Sequence, residues 1–254
     1  MKHILFATAA LAATLYIVSP SWAADAPSGY VDASYTNGNT EILGTDLDSD
    51  TYALNGAVVL PSSTNWAVKL DAAVANTDDG FDDTTSVSGT VHAFHKGDGW
   101  LAGGFAGATK VDDDTAWAVG LEGQKELTNV TLAGAVAYGT VDDVDVDLWS
   151  ARGEARYFIN DNFRLSGGLG FAKADFAGGD TDMWSAGVGG EYKFASNPIS
   201  LFAAYDHTEW NDIDLTSDAV TVGVRYTFGG QSLRERDRSG ADLNSVDRVF
   251  SGLF

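Results

Sequence analysis

The 254-residue sequence contains no cysteine. That absence excludes a disulfide scaffold and thiolate metal sites, although it names no compartment. Proline is scarce at 4 residues and histidine at 4, one of which is His3. Basic residues are few: 15 Lys and Arg stand against 36 Asp and Glu, a formal charge of -21. Such a surface repels polyphosphate, so nucleic acid is not expected as a partner. Long hydrophobic runs are missing too. After the N-terminal leader, no segment reaches the roughly 20 apolar residues that a helical membrane span requires. Yet 44% hydrophobic content is too high for a disordered acidic chain.

Met1 to Ala23 reads as a secretory signal. Lys2 supplies the positive start, Ile4 to Val18 the apolar core, and Ser21-Trp22-Ala23 the small residues at the two positions a signal peptidase inspects. No cysteine follows, which excludes a lipid-anchored mature N-terminus. The expected mature chain is either soluble and exported or a transmembrane barrel.

What is present in abundance is alternation. From Ala219 to Phe228, Val220, Val222, Val224, Tyr226 and Phe228 share one phase, while Thr221, Gly223, Arg225 and Thr227 share the other. The scheme repeats in twelve stretches, at about 28–36, 50–60, 64–76, 84–96, 98–110, 114–125, 127–140, 146–159, 161–175, 181–194, 197–209 and 216–228. One set of intervening segments is tight: Pro61 to Thr64, Lys96 to Gly99, Lys125 to Asn129, Asn160 to Asn162 and Ala195 to Pro198. The other set is read as longer and acidic: Thr36 to Asp50, Asn76 to Thr85, Lys110 to Asp114, Val141 to Asp147, Asp175 to Asp182 and Glu209 to Asp218. Aliphatic strand centres, aromatic ends and alternating connection types suit a lipid-facing barrel.

Thr221, Gly223, Tyr226 and Phe228 resemble the closing-strand signal of bacterial outer-membrane barrels: a polar residue, a glycine two later, a hydrophobic residue and a final aromatic. With the leader and the strand pattern, the chain resembles the small porin-like families of Gram-negative outer membranes. The resemblance implies a closed antiparallel all-β transmembrane barrel over residues 24–228, of twelve strands, or ten if the first hairpin is misread. It also implies contact with outer-membrane lipid and lipopolysaccharide, assembly by the barrel-assembly machinery, and passive diffusion of small polar solutes. The oligomeric state stays open.

The two phases divide the residues by chemistry. Trp66, Val68, Leu70, Ala72 and Val74 form an apolar row, as do Trp117, Val119 and Leu121, then Val130, Leu132, Gly134, Val136 and Tyr138, then Trp184, Ala186, Val188, Gly190, Tyr192 and Phe194. Trp66, Trp100, Trp117, Trp149, Trp184 and Trp210 fall near strand ends, as aromatic girdles do. The opposite phase carries Asp32, Lys69, Asp71, Glu122, Arg152, Glu154, Arg156, Arg164, Glu191, Lys193 and Arg225. These are the expected lumen residues, either paired for structure or forming a solute-selecting constriction. The acidic connections hold Asp78, Asp79, Asp82, Asp83, Asp112, Asp113, Asp114, Asp142, Asp143, Asp145, Asp147, Asp180, Asp182, Asp212 and Asp214. They read as a solvated rim that biases permeation toward cations, with divalent cations such as Ca²⁺ or Mg²⁺ as the alternative occupants. No cofactor is expected.

An enzyme is not expected either. Some barrels of similar size are phospholipases or proteases, but His95 belongs near the periplasmic turns and His207 near the outer rim, so the two cannot share a site. Asp206 and His207 are adjacent on a strand and point apart. After Phe228 the alternation stops. Residues 229–254 carry Arg234, Glu235, Arg236, Asp237 and Arg238, and then Leu243, Val246, Val249 and Phe250 at helix-like spacing. This tail is a periplasmic extension, a segment at the inner rim, or a plug. A narrow pore with an acidic mouth is the leading expectation, and a non-conducting structural or surface-interaction barrel the alternative.

Overall fold

The computed structural model describes residues 26–62, 64–112, 114–141, 146–176, 179–211, 215–229 and 232–250. The leader and Asp113, Asp142, Asp143, Asp145, Asp212 and Asp214 of the acidic set lie outside the described residues. Twelve antiparallel strands close on themselves in sequence order. They are β1 Ser28–Ile42, β2 Thr45–Pro61, β3 Trp66–Asp78, β4 Asp83–Gly97, β5 Trp100–Val111, β6 Asp114–Glu126, β7 Val130–Val141, β8 Val146–Asn160, β9 Phe163–Phe176, β10 Gly179–Lys193, β11 Ile199–Trp210 and β12 Leu215–Phe228. The seam is β1 against β12, in register from Gly29 opposite Phe228 to Ile42 opposite Leu215. Closure leaves no strand edge unpaired, which a bilayer interior demands because no water is there to satisfy free backbone groups.

The alternation sets which way each side chain points. Leu121, Leu169 and Val188 are 67%, 68% and 62% exposed, as no aliphatic core of a water-soluble domain would be. Lipid therefore covers this wall. Aromatic side chains band it at both ends. Near the tight turns, His95 lies between Trp66 at 5.4 Å and Trp100 at 5.7 Å. Toward the acidic rim, Tyr138 contacts Trp117 and Trp149, and Trp184 stands 5.2 Å from His207. Trp210 departs from the expected girdle. Glu209 faces outward to accept a bond from the Trp184 indole at 3.1 Å, so its neighbour Trp210 turns inward and is 5% exposed.

The strands also run past the boundaries that hydrophobic alternation marks. The interval Thr36 to Asp50 is a hairpin rather than a long loop, and β1 and β2 pair out to Ile42 opposite Thr45. Leu43 and Gly44 turn it, with φ of 52° and 77°. Two successive positive φ values fit the right-handed twist of a tight hairpin, at a cost Gly44 avoids and Leu43 bears. Polar cross-strand pairs hold the extension: Asn37 to Asp50 at 3.1 Å and Asn39 to Asp48 at 3.0 Å. A strand bathed in water on both faces has no reason to alternate apolar and polar residues. The other acidic intervals shrink likewise, since β3 reaches Asp78 and β4 begins at Asp83.

After β12 the chain turns back into the barrel. Helix α1 spans Leu233–Ser239 and a single 3-10 turn spans Val246–Arg248. The helix-like spacing of Leu243 to Phe250 thus yields only that turn, while the helix forms upstream. Its start is a reciprocal cap: the Ser232 hydroxyl accepts from the Glu235 amide, and the Glu235 carboxylate accepts from the Ser232 amide. Its end is Gly240, at φ 92°. A Cβ there would stand 2.6 Å from the Phe94 ring. Gly240→Ala should weaken tail seating by about 1–2 kcal/mol, the usual cost of a left-handed non-glycine residue. Limited trypsin digestion read by intact mass checks it, and an unchanged rate of tail cleavage would refute it.

Candidate functional site in the lumen

The lumen divides into a charged half at the turn-rich end and an apolar half toward the acidic rim. Strand register assembles the charged half. Arg164 on β9 stands opposite Glu191 on β10, and Arg225 on β12 opposite Asp32 on β1. Arg164 pairs with Glu191 at 2.9 Å; Arg225 pairs with Asp32 at 2.7 Å and with Glu191 at 3.1 Å. Asn55 donates to the other Asp32 oxygen at 2.8 Å. On β8, Arg156 meets Glu154 at 3.0 Å. Across the lumen, Lys69 and Asp71 of β3 pair at 3.0 Å. His92 of β4 lies between Asp71 at 2.9 Å and Glu122 of β6 at 2.7 Å, with one ring nitrogen facing each. Lys193 is buried, and Arg152 is half-buried further along β8.

The tail completes this network, which strand reading alone could not supply. Arg236 of α1 is wholly buried and binds Glu191 twice, at 2.9 and 2.7 Å. Asp237 accepts from Arg156 at 2.5 Å and from the Thr131 hydroxyl at 2.6 Å. Asp242 binds Arg236 at 3.0 Å and also takes Arg164. Lys69 donates to the Leu243 carbonyl, and Arg156 to the Asp242 carbonyl at 2.8 Å. Buried charge of this kind persists only where geometry and hydrogen bonding offset desolvation. Burial by itself would raise the Asp242 carboxyl, but Arg164, Arg236 and Arg156 hold it well below the usual carboxylate range. Burial would lower Arg236, yet Asp242 and Glu191 raise it above the ordinary guanidinium value. At the tight-turn end, Arg234 pairs with Asp161 at 3.2 Å and Arg238 with Glu126 at 3.4 Å.

The apolar half receives the rest of the tail. Val246, Val249 and Phe250 join Phe105, Ala116, Ala118, Ala137, Leu148, Met183 and Trp210 in one buried cluster. Two wall glycines are shaped to the tail. A Cβ on Gly107 would lie 2.9 Å from Val246 Cβ, and one on Gly139 would lie 2.7 Å from the Phe250 ring. Between the tail and the wall from β8 to β12, a cavity of about 230 Å³ remains, lined by Arg152, Arg164, Arg225, Asp242, Asn244 and Ser245 among others. Among the described residues, no three His, Asp or Glu side chains converge to hold a metal ion.

A lumen of paired charges within a lipid-facing barrel has its counterpart in sequence. Residues 87–233 match the model of the Gram-negative porin family. The chain belongs to that family. The porin resides in the outer membrane, as its family and barrel place it. It is similar in fold to the NanC porin, at 12% identity and a TM-score of 0.56 over 76% of this chain and 98% of that one. It is similar also to the KdgM porin in complex with disordered oligogalacturonate, at 10% identity and 0.54 over 78% and 99%. The translocator domain of the autotransporter NalP from Neisseria meningitidis matches at 13% identity and 0.53 over 89% and 96%. No curated protein matches the porin sequence.

The closing-strand residues of the porin take defined places. Tyr226 is half-exposed on the outer wall and Phe228 sits at the seam opposite Gly29. Thr221 faces inward to share a hydrogen bond with Thr36 at 2.8 Å, and Gly223 leaves room for the Phe202 ring. His92 carries the signal the sequence reading passed over: it lies in the inward phase, directly opposite Lys69 in the β3–β4 register.

Proposed function

We propose that this porin is a narrow passive channel for small polar solutes, closed in this conformation by its own C-terminal segment. One observation carries the reading: Arg236, Asp237 and Asp242 complete the ion pairs of the lumen wall, with Arg236 and Asp237 wholly buried. Beyond the pairs the wall makes with itself, Arg156 and Arg164 each take a further carboxylate from the tail. The acidic rim around Asp78, Asp79, Asp82 and Asp83 favours cations at the mouth. Porins are channels, and no residue is assigned a catalytic role. Thr221, Gly223, Tyr226 and Phe228 are proposed to address the assembly machinery.

Single-channel recording of the full-length protein in a planar bilayer tests the reading, beside a D237N/D242N variant of the full chain. The wild type should be silent or flicker briefly. The variant, having lost the Asp237 and Asp242 carboxylates that pair with the wall arginines, should give steady current. Silence from both well-folded proteins would refute the channel and favour a non-conducting structural barrel, a role that the same tail packing would equally serve.

A further inference from the structure

The tail does more than fill space, because it shows which chemistry the wall recognises. Arg156 and Arg164 come from neighbouring strands, and each seats a carboxylate that the wall does not own: Asp237 on Arg156, Asp242 on Arg164. Neither carboxylate belongs to the barrel, and each is replaceable in principle by a carboxylate from solution. Planar guanidinium groups pair with carboxylates in a fixed geometry and discriminate them from neutral amides. Beside Asp242 lies the cavity of about 230 Å³, lined by Arg152, Arg156, Arg164, Arg225 and Arg248 and by the wall carboxylates Glu154, Glu191 and Asp206, so that arginines outnumber the wall's own carboxylates. It provides space for a small solute next to the tethered carboxylate.

We infer that the arginine wall of β8, β9 and β12 is a binding site for small dicarboxylate solutes, and that Asp237 and Asp242 are its tethered occupants. A dicarboxylate in the cavity competes with Asp242 for Arg164 and with Asp237 for Arg156, so binding and release of the tail are one equilibrium. This deepens the channel reading by naming a solute class: cations gather at the acidic mouth, whereas the narrow interior accepts carboxylates. A neutral diamide of the same length lacks the charge to compete, and a diamine meets guanidinium groups of its own sign.

The test uses the full chain and the absence of native cysteine. Val246 lies on the tail and is wholly buried against Gly107 and Thr90 of the wall, so a thiol in V246C reacts with a bulky maleimide only when the tail leaves. The labelling rate of V246C in liposomes is measured with succinate, succinamide, putrescine, and sodium chloride at matched ionic strength. Succinate alone should speed labelling at least fivefold, and R164Q should abolish that response while raising the basal rate. Equal acceleration by chloride or putrescine would reduce the effect to salt screening and overturn the inference, as would no acceleration at all. Should V246C fold poorly, A241C supplies a second buried reporter. The two readings fail separately. Conducting D237N/D242N with succinate-insensitive labelling sinks the dicarboxylate site alone, and succinate-driven labelling with no conducting variant sinks the channel alone.

Discussion

Glu191→Gln should lower the stability of the folded protein by roughly 3–5 kcal/mol, the usual cost of removing one member of a buried ion network. One Glu191 oxygen lies within hydrogen-bond range of Arg164, Arg225 and Arg236, and the other takes Ser200 at 2.6 Å and Arg236 at 2.9 Å. Glutamine keeps the shape and removes the charge. Three guanidinium groups then crowd one another with Asp32, Asp242 and the more distant Asp237 left to balance them. Of the three, Arg236 alone sits on the tail rather than on a strand, so the tail should leave first and the barrel should melt earlier. Urea unfolding of the lipid-folded protein measures the loss, and Ser200→Ala is the control, losing one hydrogen bond to a charged group, worth about 1.5–3 kcal/mol. A Glu191→Gln midpoint equal to that of wild type would show that Glu191 is not the hub that its contacts describe.

Phe250→Ala should cost the seated tail about 3–5 kcal/mol, as truncation of a buried phenylalanine does. Phe250 is 2% exposed, and its ring fills the space that Gly139 leaves on β7. Here the barrel loses little, because the cavity opens between the tail and the wall rather than between strands. The expected signature is therefore divided: trypsin should cleave the tail many times faster while the urea midpoint of the strands barely moves. Gly139→Val, which pushes a side chain into the same space from the wall, should produce the same division. If both midpoint and cleavage rate match wild type, the outer-half cluster does not hold the tail.

The barrel was legible because lipid leaves so strong a signature. Val220, Val222 and Val224 are about half exposed on the outer wall, and Arg225 between them and Tyr226 points inward, as period two requires. Once the phases are known, the cross-strand pairs Arg164–Glu191 and Asp32–Arg225 follow from register. The signature fades where lipid does. The β1–β2 hairpin above Thr36 is polar on both faces, and Trp210 could be placed on the wrong side because strand ends slip by a residue. The tail was harder for a different reason. Helix α1 has seven residues and one apolar side chain, Leu233, too little for a periodic signal. Its identity rests on partners far off in sequence: Arg236 on Glu191, Asp237 on Thr131. Charges alone gave no means of choosing among the inner rim, the periplasm and the lumen.

The join between β12 and α1 is short, since the strand ends at Phe228 and the helix cap is Ser232. A ligand on so brief a leash is never dilute. Its effective concentration at the wall is on the order of millimolar, the scale that a short linker sets. Any free solute that shares its chemistry must be present at a comparable level before it wins a place. If a free carboxylate displaces the tethered one as inferred above, the tether sets a threshold: trace solute leaves the lumen occupied, and abundance is what the protein answers to.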